Sequence, residues 1–154
     1  MPDRIAKVAN RLKVMPTRSP RALIAVAGPP ASGKSTFLQR LAIQLGVNGK
    51  APLTISLDDY YREREQLVEV DLESPEALDI GLLNRHVEAL LRDEVVSIPR
   101  FDFTTQQPVA REHWKLVSLK PNGILLLEGL HSLNPAILHN LPNGIVFRVF
   151  VSAL

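Results

Sequence analysis

Apolar residues in this chain fall into two kinds of pattern. Residues 22–27 (Ala-Leu-Ile-Ala-Val-Ala) and 123–127 (Gly-Ile-Leu-Leu-Leu) are continuous apolar runs, and 52–57 (Pro-Leu-Thr-Ile-Ser-Leu) is a third strand-like segment. Runs without alternation predict strands buried on both faces, the situation of a parallel sheet covered by helices. Between the first and the third segment, 37–45 is a helix-forming run followed by a turn at 46–50. Further on, Ser74 reads as an N-cap and Pro75 as the first helical position, predicting a helix to about residue 92 with Ile80, Leu83, Val87 and Leu91 as its buried stripe. Strands alternating with helices predict an α/β fold, a parallel sheet flanked by helices.

The remaining segments fit around that frame. Residues 95–98 and 115–119 are short β-rich runs flanking 101–108, which reads as a small β-excursion beside the sheet. A short helical stretch is expected at 134–139 and a last strand at 145–151, while the highly charged 60–72 predicts a mobile surface segment. Near the start, Ile5, Val8, Leu12 and Met15 fall at helical spacing, predicting an amphipathic helix that ends before Pro16. The chain stops three residues after the last predicted strand. Since a parallel sheet wants both faces covered and its edges managed, the expectation is a partial domain.

Composition narrows the class. With 154 residues, 45% of them hydrophobic, the chain can build one core, so residues 1–20 are expected as a basic helix and linker and 21–154 as a single domain. The absence of cysteine excludes disulfides and thiolate metal sites, and no apolar stretch approaches the ~20 residues that span a bilayer. A cytoplasmic protein without membrane or nucleic-acid partners is expected, with self-association left open. The net charge is only +2. It is uneven, however: Arg4, Lys7, Arg11, Lys13, Arg18 and Arg21 face only Asp3 near the N-terminus, which reads as a solvated basic face.

The densest chemistry follows the first strand. Gly28 to Thr36 read GPPASGKST, matching the phosphate-binding pattern G-x-x-x-x-G-K-[ST] in its required setting of strand before and helix after. Chance would place those four fixed positions in a chain of this length with a probability of roughly 0.5%. Gly28 and Gly33 permit close backbone approach, and the loop through Pro29, Ala31 and Ser32 would turn its amides toward phosphate oxygens. Lys34 would bridge the β- and γ-phosphates of ATP, the Ser35 hydroxyl would ligate Mg²⁺, and Thr36 would donate to the α-phosphate.

Carboxylates at strand ends supply the rest. Glu128 closes the 123–127 run and reads as a second Mg²⁺ anchor or as a plain strand-ending acid. Asp58 and Asp59 close the 52–57 segment, either as a cap for a following helix or as a base beside the γ-phosphate. His86 and His139 read as structural, and His131 as a substrate contact or a helix cap. Trp114 reads as a packing anchor for the excursion. No spacing of histidines forms a zinc site.

In order along the chain, the loop, Ser-Leu-Asp-Asp-Tyr-Tyr (56 to 61), Glu-Ser-Pro-Glu-Ala-Leu-Asp (73 to 79), Ile-Pro-Arg-Phe-Asp-Phe (98 to 103), Glu-Gly-Leu-His-Ser-Leu-Asn-Pro (128 to 135) and Val-Ser-Ala-Leu (151 to 154) resemble the uridine kinase and phosphoribulokinase family of P-loop kinases, most of all the bacterial uridine kinase-like nucleoside kinases. The resemblance covers the chain from about Arg21. It implies a P-loop NTPase fold and an ATP- and Mg²⁺-dependent transfer to the 5′-hydroxyl of a nucleoside. It implies Asp58 as the base, Tyr61 and Glu73 in the acceptor pocket with Glu73 on the ribose, Phe101 and Asp102 at the pocket wall, and Glu128 beside the metal.

Departures from the family pattern leave the acceptor open. Gln106 stands where the family has a histidine that reads the pyrimidine, and Pro108 where a basic residue is usual. Pantothenate- or sugar-phosphate-type acceptors are therefore alternatives, as is a regulatory module that binds ATP without transfer. The resemblance also implies an arginine-bearing lid beyond Leu154 and an extension resembling parts of aminoacyl-tRNA synthetases before the first helix. Without them, the expectation is a chain that binds nucleotide better than it catalyses.

Overall fold

The computed structural model describes residues 4–7, 21–141 and 143–152. Strands β1 (Leu23–Ala27), β2 (Ala51–Ser56), β7 (Gly123–Glu128) and β8 (Val146–Phe150) form one parallel sheet in the order β2-β7-β1-β8. Helix α1 (Lys34–Val47) joins β1 to β2, and helix α2 (Ile80–Leu91) lies later in the chain. Two short antiparallel pairs, β3 (Val96–Ile98) with β6 (Lys115–Val117) and β4 (Phe101–Asp102) with β5 (Gln107–Pro108), make the excursion anticipated between 95 and 119.

The unbroken apolar runs have a direct explanation. Successive residues of a strand point to opposite faces, and here both faces are covered. Leu23, Ala25, Leu125 and Leu127 pack with Leu83, Val87 and Leu90 of α2. Ile24, Val26, Ile124 and Leu126 pack on the other side with Phe37, Leu41 and Leu45 of α1. Each fully buried leucine contributes roughly 1.5–3 kcal/mol of transfer free energy, so the central strands β1 and β7 hold the two layers together.

Two expectations are corrected. The helix predicted from Ser74 onward begins only at Ile80. Ser74 caps one 3₁₀ turn, Pro75–Ala77, after which Leu78 is extended, bridged to Tyr61, and the Asp79 amide donates to Tyr60 O at 2.8 Å. That pairing with a distant segment interrupts the helix, and Asp79 restarts it by accepting from the Leu82 amide at 3.0 Å. Residues 134–139 form turns rather than a helix. Pro135 disfavours helical backbone at Asn134, Leu138 adopts φ 65°, and Asn84 of α2 holds the turn by donating to Ala136 O and accepting from the Leu138 amide. The charged segment 60–72 is folded into turns that include a 3₁₀ stretch, Arg64–Leu67. At the N-terminus residues 4–7 are helical and Ile5 is buried in the α1 layer, while Val8, Leu12 and Met15 of the predicted helix lie outside the described residues.

If Asp79 is the true cap of α2, Asp79→Ala should lower stability by about 1 kcal/mol in urea unfolding. Ser74→Ala should have the smaller effect. The reverse order of the two would mean that the helix starts at Pro75 after all.

Candidate active site

Register sets where the chemistry converges. Val26 of β1 pairs with Glu128 of β7, which pairs in turn with Ser56 of β2, so three strands finish level with one another. Just beyond those ends stand the 28–33 loop, the Glu128 carboxylate and Asp58. The carboxyl ends of parallel strands are where open α/β sheets bind ligands.

The loop is shaped by steric limits. A Cβ on Gly28 would lie 2.6 Å from the Val151 carbonyl oxygen and 2.7 Å from Ser32 Oγ, so only glycine fits. Ala31 (φ 59°) and Gly33 (φ 88°) are left-handed and turn the chain into α1, where Gly33 O accepts from the Phe37 amide at 2.9 Å. A left-handed alanine costs roughly 1–2 kcal/mol, strain of the kind that accumulates at binding sites. Pro29 and Pro30 carry no N–H, so donation falls to later amides. Those of Lys34, Ser35 and Thr36 open the 14-residue helix α1, where N–H groups lack a carbonyl one turn back and the helix presents its positive end.

Residues 29–36 line an open cavity of about 440 Å³ together with Asp58 and Glu128. Ser32 Oγ is buried beside it and, among the described residues, has no hydrogen-bond partner. Free amides, a helix N-terminus and an unpaired hydroxyl suit a phosphate group. Lys34 Nζ donates to Gly28 O at 3.3 Å and lies 3.4 Å from Glu128 Oε2. Burial raises the Asp58 pKa above its ordinary 3.8, and the negative charge of Glu128 raises it further, against smaller opposing effects that include Lys34. Two carboxylates thus share one ammonium. Among the described residues no three His, Cys, Asp or Glu side chains cluster to hold a metal. The donor set here, the Ser35 hydroxyl with the Glu128 carboxylate, suits a hard cation such as Mg²⁺ that keeps water and takes phosphate oxygens.

The aspartate pair divides its work. Leu57–Tyr60 is a 3₁₀ turn capped by Ser56 Oγ, which accepts from the Asp58 amide. Asp58 faces the phosphate cavity, whereas Asp59 Oδ1 accepts from the Phe101 amide at 3.3 Å and ties down the excursion. Burial raises the Asp59 pKa too, opposed by that hydrogen bond. Tyr60 is buried, its hydroxyl 3.0 Å from His86 Nδ1, and burial lowers the His86 pKa.

Tyr61 opens a second cavity, also about 440 Å³, shared with Phe101, Phe103, Gln106, Arg64 and the apolar side chains of 67–72. Its ring centroid lies 5.3 Å from Phe101 and 6.2 Å from Phe103, and its hydroxyl donates to Leu72 O at 3.3 Å. Arg64, Leu67, Val68, Val70, Leu72 and Phe103 were not anticipated here. The apolar residues scattered through the charged 60–72 stretch were the available signal. Glu73 is exposed at the edge, near enough for its charge to raise the Tyr61 pKa, after burial and Asp58. Asp102 lines neither cavity: its carboxylate accepts from the Thr104 amide at 2.8 Å and so shapes the β4–β5 turn. His139 bonds to its own turn at Ala136 O. Trp114 anchors the excursion as expected, donating to Val109 O beneath the Arg111 guanidinium.

Comparison with known proteins agrees with this geometry. Residues 23–154 match the model of the phosphoribulokinase / uridine kinase family. A uridine kinase of Aliivibrio salmonicida is 31% identical over 137 residues, covering 81% of this chain and 60% of that protein. One from Deinococcus deserti is 31% identical over 136 residues, covering 85% and 61%. The chain therefore spans about 60% of the length of these relatives. The structure of a possible uridine kinase from Bacillus stearothermophilus shares the fold, with a TM-score of 0.73 over 96% of this chain and 79% of that one, at 19% identity.

Two outcomes follow from the site's strain. Since burial and Glu128 disfavour the ionised Asp58, Asp58→Asn should unfold at a higher urea concentration than the parent at neutral pH. The parent recovers as pH falls through the raised native pKa, so the difference should shrink, reaching its minimum below pH 3.8. A variant no more stable than the parent at neutral pH would contradict this account of the charge cluster. Gly28→Ala should displace the loop and lower nucleotide affinity by about tenfold or more, read by titration with a fluorescent ATP analogue.

Proposed function

The chain belongs to the phosphoribulokinase / uridine kinase family, and we propose on that premise that it transfers the γ-phosphoryl group of ATP to a hydroxyl of a small acceptor, the 5′-hydroxyl of a nucleoside. The observation that carries this reading is the meeting of Lys34, Asp58 and Glu128 at one cavity with the phosphate loop. A second, aromatic-walled cavity opens from the same turn that bears Asp58.

In this mechanism the amides of Gly33 to Thr36 and the Lys34 ammonium hold the phosphates, and Ser35 and Glu128 would hold Mg²⁺. When bound, the metal neutralises charge on the β- and γ-phosphate oxygens. Asp58 accepts the proton of the attacking hydroxyl. Its raised pKa makes it a better base than an ordinary aspartate. Tyr61, Phe101 and Gln106 contact the acceptor's ring, with Gln106 both donating and accepting, and Glu73 accepts from its sugar hydroxyls. Lys34 begins paired to Glu128 at 3.4 Å, which keeps its ammonium poised at the phosphate position before ATP arrives.

Transfer of labelled γ-phosphate to a panel of nucleosides, pantothenate and sugar phosphates tests both the reaction and the acceptor. Asp58→Asn should lower kcat/KM by about 10²–10⁴ with ATP affinity nearly unchanged. Binding of ATP with no transfer to any acceptor would refute the kinase reading and favour a nucleotide-dependent switch. Because the base works only when ionised, kcat/KM for the acceptor should fall toward acid with a midpoint above 3.8, the ordinary aspartate value.

A further inference from the structure

The segment 62–74 walls the aromatic cavity, yet most of its hydrogen bonds stay local. Gln66, Val70 and Ser74 amides donate to Glu63, Leu67 and Asp71 carbonyls, the Glu73 amide donates to Asp71 Oδ1, and Tyr61 and Ala77 tie in its two ends. One bond among those described reaches across to the end of the central sheet: His131 Nε2 lies 2.5 Å from Glu73 O. A carbonyl only accepts, so Nε2 carries the proton and neutral imidazole suffices.

The loop that presents His131 is firmly seated. The Gly129 amide donates to Val26 O at 3.1 Å, and Ser132 Oγ, fully buried, donates toward Val26 O at 2.9 Å and Gly129 O at 2.7 Å. Gly129 has φ 154°, and a Cβ there would lie 2.7 Å from Leu57 Cβ, so the loop presses on the turn that carries Asp58. His131 therefore projects from a point fixed simultaneously to the ends of β1 and β7 and to the Asp58 turn.

We infer that His131 is a positioning residue that latches the acceptor wall, and with it Glu73, onto the phosphate-binding half of the site. The latch acts through the main chain of Glu73, which leaves the carboxylate free to meet an acceptor. This rests on the proposed reading of the second cavity as the acceptor site, but its structural part can be tested without any acceptor.

Hydrogen exchange on the full chain provides that test. In His131→Ala, the amides of Gln66, Val70, Glu73 and Ser74 should exchange about tenfold faster, with α1 and β7 unchanged. His131→Gln, whose amide also donates, should restore most of the protection. In kinetic assays His131→Ala should raise the acceptor KM about tenfold and leave the ATP KM in place, and His131→Gln should reverse this. Unchanged exchange at 62–74, acceleration spread equally through α1 and β7, or an ATP KM that rises as much as the acceptor KM would each overturn the latch. An exchange effect in a chain that phosphorylates no acceptor would leave the latch standing and count against the kinase reading.

Discussion

Everything at the site depends on the parallel pairing of β7 between β1 and β2. The pairing is specified by burial on both faces: Ile24, Val26, Ile124 and Leu126 must face α1, while Leu23, Ala25, Leu125 and Leu127 face α2. A slip of one residue in either strand would reverse every one of those side chains. The same register that satisfies the core also brings Val26, Glu128 and Ser56 level. The apolar layers thus fix to within one residue where a loop of amides, the Glu128 carboxylate and the Asp58 turn will meet.

What the core fixes, the site strains against. Ser32 Oγ is buried and, among the described residues, unpaired, and the Asp58 carboxylate is held against burial and a neighbouring carboxylate. Each would be relieved by a ligand rather than by the fold: phosphate oxygens for the hydroxyl, a cation for the carboxylates. Such strain is tolerable because it sits on the rims of the two central strands, whose own burial is nearly complete. Substitutions that relax these residues should consequently strengthen the fold.

The sequence made the frame legible because long apolar runs leave little choice. Residues 22–27 and 123–127 could only be doubly buried strands, and the loop's glycines and lysine have a single economical explanation in that setting. It misled where tertiary contacts overrode local signals. Ser74-Pro75 is a sound helix start in isolation, yet the bridge between Tyr61 and Leu78 extends the chain just behind it. The 60–72 stretch is dominated by charge, which hid Leu67, Val68, Val70 and Leu72, whose apolar side chains line a cavity only because Tyr61 and Phe101 stand opposite. Asp102 matched a family position, and its Oδ1 also accepts from the Thr104 amide to shape the turn it sits in, a contact visible only once the β4–β5 pair is formed.

The turn at Leu57–Tyr60 explains how two cavities come to adjoin one short segment. A 3₁₀ turn has three residues per revolution, so residues three apart eclipse one another. Leu57 and Tyr60 accordingly share the buried side, at 1% exposure each. Asp59 takes the second direction and holds the excursion through Phe101. Asp58 faces the phosphate cavity, and Tyr61, the extended residue that closes the turn, lines the aromatic one, close enough that the Asp58 charge raises the Tyr61 pKa. The tight turn is what sets Asp58 on one cavity two residues before Tyr60 and three before Tyr61, which walls the other.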